Sequence, residues 1–104
     1  MGVYKIDISD LAKQDIRDIA SYISHELLEP IIAEKAVDAI IDAIFTLDSM
    51  PERIKFVDDE RLAKKEIRAL YVNNYTVFFQ IKETQNIVTI VRVLYSHRDW
   101  SALL

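Results

Sequence analysis

The stretch that decides the fold is residues 67–81, IRALYVNNYTVFFQI, where two runs of β-forming residues flank Asn73-Asn74. Asparagine tolerates the positive φ values that a two-residue hairpin turn requires. The stretch therefore predicts a β-hairpin with a defined register, because the length of the turn fixes which residues face each other. On one face of the sheet, the expected cross-strand pairs are Arg68 with Phe79, Leu70 with Val77, and Val72 with Tyr75.

The two faces of this hairpin are expected to differ in their surroundings. The face that carries Leu70 and Val77 is the more aliphatic, so we expect helices to cover it and Arg68 to lie at its edge. The other face is expected to be open, and it carries Thr76, Phe78 and Gln80.

A last strand is predicted from Ile87 to about Tyr95, after a polar turn at residues 82–86. The facing of Arg92 in this strand stays open, because a slip of one residue inverts every side chain. A four-residue loop places Arg92 on the side of Arg68, and a five-residue loop places it on the opposite side.

The N-terminal part of the chain predicts one strand and two helices. Residues Val3–Ile8 alternate in polarity, as expected of a strand with one buried face. Ser9 is a candidate N-cap for a helix from about residue 10 to about 27, and Pro30 begins a second helix of about eighteen residues that stops near Pro51. The polar face of the first helix is predicted to be solvated, and it carries Lys13, Asp15, Arg17 and Asp18.

Together these elements predict an α+β fold that forms one domain over residues 1–104. The order is β-α-α-β-β-β, with the N-terminal strand and the helical hairpin packed on an antiparallel sheet that ends in a three-strand meander. The connection over residues 52–66 has 10 charged residues out of 15, so we expect it to lie at the surface.

The composition excludes several classes of site. The chain has 104 residues, no cysteine and a single glycine, which rules out disulfides, thiolate metal sites and a glycine-rich phosphate loop. We find no metal-ligand spacing and expect no cofactor. No apolar run approaches the roughly 20 residues that span a bilayer, and no signal peptide is recognisable, so a cytoplasmic protein without membrane contact is expected.

Charge is distributed unevenly along the chain. Residues 1–60 carry 6 Lys/Arg against 14 Asp/Glu, whereas residues 61–104 carry 7 against 3, so an anionic partner is expected to approach the C-terminal sheet. The net charge of −4 counts against nonspecific binding of nucleic acid. An unpaired buried guanidinium is costly. The arginines of the apolar C-terminal part are therefore expected either at a rim or in a site: Arg68, Arg92 and Arg98.

Residues 95–100, YSHRDW, follow the last strand at a point where side chains converge at the end of a sheet. A histidine at such a place can transfer protons, which makes His97 a candidate acid or base. From spacing alone, the alternative is an Arg98–Asp99 ion pair with Trp100 covering the core.

Two runs of residues carry a family resemblance, together with the order of the elements. The first is Ile67-Arg68-x-Leu70-x-Val72-x-Asn74-Tyr75-x-Val77-Phe78-Phe79, and the second is Arg92-Val93-Leu94-Tyr95-x-x-Arg98-Asp99. The chain thereby resembles, over almost its whole length, the RelE/ParE superfamily of toxins from bacterial type II toxin–antitoxin pairs. This group is also labelled plasmid stabilisation proteins.

The resemblance implies a small toxin that a cognate antitoxin neutralises by wrapping it with a C-terminal segment and covering its active surface. RelE-like members are ribosome-dependent mRNA endonucleases, whereas ParE-like members inhibit DNA gyrase without being nucleases. Assembly as a homodimer or as a toxin–antitoxin heterotetramer stays open.

One position favours the ParE-like branch. RelE-like nucleases tend to carry a catalytic arginine directly after the tyrosine that opens the central hairpin strand, and here Tyr75 is followed by Thr76. The resemblance therefore implies a gyrase inhibitor that is not an enzyme. Its rim, facing the target or the antitoxin, would consist of Arg92, Tyr95, Arg98 and Trp100.

Two other readings stay open. The first is a RelE-like endonuclease, with His97 as acid or base and Arg68 or Arg98 holding phosphate. The second is a non-toxic homologue that binds the antitoxin without arresting growth.

Overall fold

A computed structural model of the chain describes residues 3–98 and 103–104. Its four strands are β1 (Lys5–Ile8), β2 (Arg68–Val72), β3 (Tyr75–Lys82) and β4 (Ile87–Tyr95), in the spatial order β1-β4-β3-β2. The β2–β3 and β3–β4 pairs are antiparallel, and β1 pairs with β4 in parallel. The predicted α+β fold and its meander are confirmed, with the first strand completing a mixed sheet.

The helical hairpin is close to the prediction. Helix α1 (Asp10–Ser21) begins at the predicted cap, since the hydroxyl of Ser9 accepts a hydrogen bond of 3.1 Å from the N–H of Ala12. It continues into one turn of π-helix over Tyr22–Glu26. Helix α2 (Pro30–Phe45) begins at the predicted proline and ends in a 3₁₀ turn, Thr46–Asp48.

The main core lies between this helical hairpin and the sheet. Cross-strand pairing in β2–β3 follows the predicted register, so Val77 and Phe79 share the face that the helices cover, and both are fully buried. The other members are aliphatic residues of the helices and of β4, and the largest of them are Ile16, Ile40, Ile44, Leu47, Val88, Ile90 and Val93.

The opposite face of the sheet is not open, contrary to the sequence-based expectation. Phe78 is fully buried and Thr76 is 2% exposed. The connection between α2 and β2 folds over this face through the short helix α3 (Glu60–Ala63), and the C-terminal residues join it. The second core cluster contains Val57, Leu62, Ile67, Ala69, Phe78 and Leu94, with Leu103 and Leu104 packed against it. Residues 52–66 are mostly charged, so the sequence did not indicate that their few apolar side chains are buried.

A β-bulge decides the facing of Arg92. The loop between β3 and β4 has four residues, because Lys82 pairs with Ile87, and this alone would place Arg92 on the side of Arg68. The register then shifts, so that Phe79 pairs with Ile90 but Phe78 pairs with Arg92. Val91 is the extra residue of the bulge. Arg92 consequently leaves the core face to Val93.

None of the helices among residues 3–98 and 103–104 combines the length and the apolar character that a bilayer crossing demands.

Candidate functional site

A groove of about 1010 Å³ opens between the helical hairpin and one end of the sheet. The helices form one wall, and the β2–β3 turn together with the end of β4 forms the other. Its lining is mainly apolar: Ile19, Tyr22, Ile23, Leu27, Ile32, Ala36, Ile40, Val72, Tyr75, Val93, Leu94 and Tyr95. An apolar concavity of this size is suited to binding a partner.

Aromatic rings form the sheet side of this groove. Tyr75 and Tyr95 face each other across β3 and β4, with ring centroids 6.0 Å apart and planes inclined by 70°. The imidazole of His97 lies 5.3 Å from the Tyr95 ring. Burial raises the pKa of the Tyr75 phenol, and the neighbouring Tyr95 and Tyr22 raise that pKa further. Tyr75 therefore stays protonated and neutral at neutral pH.

Three of the predicted site residues come together at the groove. The turn after β4 is held by the Ser96 N–H, which donates to the Asn74 carbonyl at 2.8 Å, and by the Arg98 N–H, which donates to the Tyr95 carbonyl at 3.0 Å. Tyr95, His97 and Arg98 are all exposed there. Tyr95 and Arg98 line the groove. The predicted rim residue Trp100 and the predicted Arg98–Asp99 pair lie outside the described residues.

Arg92 does not line the groove itself; it is held inside the fold by Asp15, which does line the groove. Its Nε and Nη2 donate to the two carboxylate oxygens of Asp15, each at 2.8 Å, and its Nη1 donates to the Leu103 carbonyl at 3.3 Å. The side chain of Arg92 is 15% exposed. The hydrogen bond to Asp15 raises the pKa of Arg92, so the guanidinium is firmly charged.

Asp15 was predicted to lie on a solvated helix face, and this prediction is wrong. The residue is 8% exposed, and its carboxylate accepts hydrogen bonds from the backbone of β4 as well as from Arg92. β1 ends at Ile8, and no other strand of the described residues covers the edge of β4 beyond that point; there a carboxylate oxygen of Asp15 accepts the Val93 N–H at 3.0 Å. Helix α1 thus supplies, from one side chain, the acceptor that a strand would have supplied.

Arg68 lies at the sheet edge, as expected, but far from His97. Its Nη1 donates to the Ile54 carbonyl at 2.6 Å, and its guanidinium carbon sits 4.3 Å from the centroid of the Phe56 ring. Arg68 pairs with Phe79, whereas the turn that carries His97 is bonded to Asn74. The four residue steps along β3 from Phe79 to Tyr75 separate these positions by about 13 Å. The fold does not bring Arg68 and His97 into one nuclease site.

Thr76 follows Tyr75 at the start of β3, and its identity was the sequence feature that favoured the ParE-like branch. It is buried, and its hydroxyl forms a hydrogen bond of 2.8 Å with the Ser96 hydroxyl. This contact ties β3 to the turn that presents His97 and Arg98. Thr76 therefore contributes to positioning the turn.

Sequence reasoning missed the helical wall of the groove. Helical spacing places Leu27 in the same apolar stripe as Ile23, which is buried, but Leu27 is 52% exposed, and Leu28, Ile31 and Ile32 are at least half exposed as well. The available signal was the number of large apolar residues around the turn between the helices, which exceeds what a three-residue connection can bury.

Comparison with family models gives a match over residues 6–100 to the family described as the ParE toxin of the type II toxin–antitoxin system parDE. No significant match is found among curated proteins. Solved structures with the same fold include the chromosomal ParDE toxin–antitoxin system from P. aeruginosa, with a TM-score of 0.75 and 18% identity, covering 91% of this chain and 98% of that one.

Two RelE-type structures share the fold. One is in the RelBE2 toxin–antitoxin complex of Mycobacterium tuberculosis, with a TM-score of 0.65 and 21% identity, covering 91% of this chain and 93% of that one. The other is a mutant of the E. coli toxin RelE in the free state, with a TM-score of 0.62 and 13% identity, covering 91% and 85% respectively.

Proposed function

Because this chain belongs to the ParE toxin family of type II toxin–antitoxin systems, we propose that it inhibits DNA gyrase and that a cognate antitoxin neutralises it. Both activities require a protein-binding surface. The groove fits this requirement, because its lining is mainly apolar and aromatic and its rim carries the exposed Tyr95 and Arg98.

The observation that favours gyrase over RNA as the target is that two of the three predicted arginines are already bound within the protein. RNA cleavage needs cationic groups that stabilise charge at the scissile phosphate, together with an acid and a base. Arg92 is bound by Asp15, and Arg68 is bound at the other end of the hairpin. Of these predicted arginines, Arg98 is the one that is exposed at the groove. One guanidinium beside aromatic rings is better suited to anchoring a protein than to holding a phosphodiester in line.

The antitoxin is expected to cover the same groove. The half-exposed side chains of Tyr22, Leu27 and Ile32 leave a large apolar area in water, which marks an interaction surface. The antitoxin fits this role because the P. aeruginosa system and the M. tuberculosis complex are both described as toxin–antitoxin assemblies. Covering the groove would block Tyr95 and Arg98 and so prevent access of gyrase.

The test is a supercoiling assay with purified gyrase and a titration of the purified toxin. The wild type is expected to inhibit supercoiling, and Arg98→Ala and Tyr95→Ala should each raise the inhibitory concentration about tenfold or more, the loss typical of an interface anchor. Arg17→Ala is the matched control, because Arg17 is exposed on α1 and hydrogen-bonded only to Gln14 among the described residues. It should inhibit as the wild type does.

A second assay tests the alternative that the target is ribosome-bound mRNA. His97 is exposed beside Tyr95 and Arg98, and this exposure favours a nuclease. Unchanged supercoiling at a large excess of toxin, combined with cuts in ribosome-bound mRNA that disappear in His97→Ala, would replace the gyrase proposal with the RelE-like one. Inactivity in both assays, with an antitoxin still bound, would identify a non-toxic homologue.

A further inference from the structure

The outer edge of β1 offers backbone hydrogen-bonding groups that the described part of the chain leaves unpaired. The N–H groups of Lys5 and Ser9 point toward β4 and donate to the carbonyls of Asn86 and Ile90, at 2.9 and 3.1 Å. Successive residues of a strand direct their N–H and C=O groups to opposite sides, so the N–H and C=O of Ile6 and the N–H of Ile8 point outward. No other strand among residues 3–98 and 103–104 lies on that side.

The side chains along this edge form a self-complementary charge pattern. Lys5 and Asp7 stand on the same face of β1, both are exposed, and neither has an ion pair among the described residues. They flank Ile6 symmetrically. In an antiparallel two-fold arrangement centred on Ile6, Lys5 of each copy would face Asp7 of the other, and opposite charges in such cross-strand positions attract.

We propose that the outer edge of β1 binds a second copy of this chain, antiparallel and centred on Ile6. The N–H of Ile6 in each copy donates to the Ile6 carbonyl of the other. The four-stranded sheets of the two copies thereby join into one eight-stranded sheet. Such isologous contacts are the usual basis of dimers, because one patch serves both partners.

Two further features fit this occupant. The Tyr4 N–H also points outward, but the Asp48 carbonyl already accepts it at 2.8 Å and stands where the partner's Ile8 carbonyl would lie, so the reciprocal backbone pairing is confined to Ile6 and to one register. Val3 and Leu11, which are 66% and 62% exposed, flank the strand at its two ends. Antiparallel pairing brings the beginning of one strand to the end of the other, which gives these apolar side chains a partner surface.

The dimer leaves the groove free. No residue of β1 contributes to the groove lining, so the assembly would carry two grooves, each available to gyrase or to an antitoxin. The proposal therefore stands or falls independently of the target.

Charge exchange at this edge tests the proposal. In sedimentation equilibrium, the wild type is expected to shift from 12.1 kDa toward twice that mass as its concentration rises. Asp7→Lys and Lys5→Asp each convert two attractive contacts into repulsive ones, so each should weaken the dimer about tenfold or more. The double variant Lys5→Asp/Asp7→Lys restores opposite charges and should dimerise again. An equimolar mixture of the two single variants should also dimerise, because every facing pair is then opposite in charge.

Asp38→Lys is the matched control, since it makes the same charge change at an exposed position of α2. It should leave the dimer unchanged, and thermal melting should show that all variants are folded. A wild type that stays at 12.1 kDa up to about 1 mM would overturn the proposal, whatever else binds the edge. So would a dimer that Asp7→Lys leaves as strong as Asp38→Lys does.

Discussion

Replacing Asp15 with alanine should be among the most destabilising changes in this protein, although Asp15 belongs to the polar face of a helix. Its carboxylate accepts two hydrogen bonds of 2.8 Å from Arg92 and one of 3.0 Å from the Val93 N–H. Removing it leaves a guanidinium that is 15% exposed without its counter-charge and a backbone N–H without its acceptor. Breaking a buried ion pair from one side costs about 3–5 kcal/mol, mainly because the remaining charge stays buried.

The second variant separates the charge from the backbone contact. Asp15→Ala/Arg92→Met removes both charges and leaves the Val93 N–H as the main loss, for which about 1–2 kcal/mol is expected. The double variant should therefore be more stable than Asp15→Ala alone by about 2 kcal/mol, a strong departure from additivity.

Urea denaturation followed by circular dichroism measures these free energies of unfolding. Asp18→Ala is the control on the same helix, because Asp18 is exposed and accepts one hydrogen bond from Gln14, and it should cost no more than about 0.5 kcal/mol. If Asp15→Ala costs less than about 1 kcal/mol, or if the double variant is the less stable of the two, the assignment of Asp15 as the partner that makes Arg92 tolerable is refuted.

Two more predictions concern other single side chains. Arg68→Met removes the hydrogen bond to Ile54 and the contact with the Phe56 ring, so the free energy of unfolding in urea should fall by about 1–2 kcal/mol. Gyrase inhibition by the folded variant should be unchanged. A loss of inhibition equal to that of Arg98→Ala would contradict the structural role of Arg68. Tyr75→Phe should alter the alkaline stability profile. Burial raises the folded-state pKa of Tyr75 above its ordinary value, so its protonated form contributes stability that is lost as pH rises above about 10. Between about pH 9 and about pH 11, the melting temperature of the wild type should fall more steeply than that of Tyr75→Phe, and parallel curves would count against this cause.

The hairpin was predictable because its register depends on local information. Asn73-Asn74 fixes the turn, Asn73 does adopt a positive φ of 54°, and the side chains that face each other follow from counting outward. Helix starts were predictable for the same reason, since Ser9 and Pro30 act within one turn of their own position.

The functions of Asp15 and Arg92 were not predictable from local pattern, because they depend on contacts between residues 77 positions apart. Helical periodicity places Asp15 beside Lys13 and Arg17 on a polar face, and it holds no information about where β1 ends and leaves β4 uncovered. The second core cluster was not predicted for a related reason. Val57 and Leu62 are sparse among charged residues, and Phe78 becomes buried only because the chain folds back over it.

The bulge at Val91 also governs how this sequence should be aligned with others. When Val91 is left out of the count, the side chains of β4 alternate regularly between the two faces of the sheet on both sides of the bulge. Ile90 and Val93 face the helices, and Arg92 between them stands opposite Phe78. A shorter relative that lacks one residue in this strand would therefore have a regular strand and should receive its gap at position 91. A gap placed two residues later would match Arg92 with the core position that Val93 occupies here, and the relative would then seem to lack a counterpart of Arg92 and of its contact with Asp15.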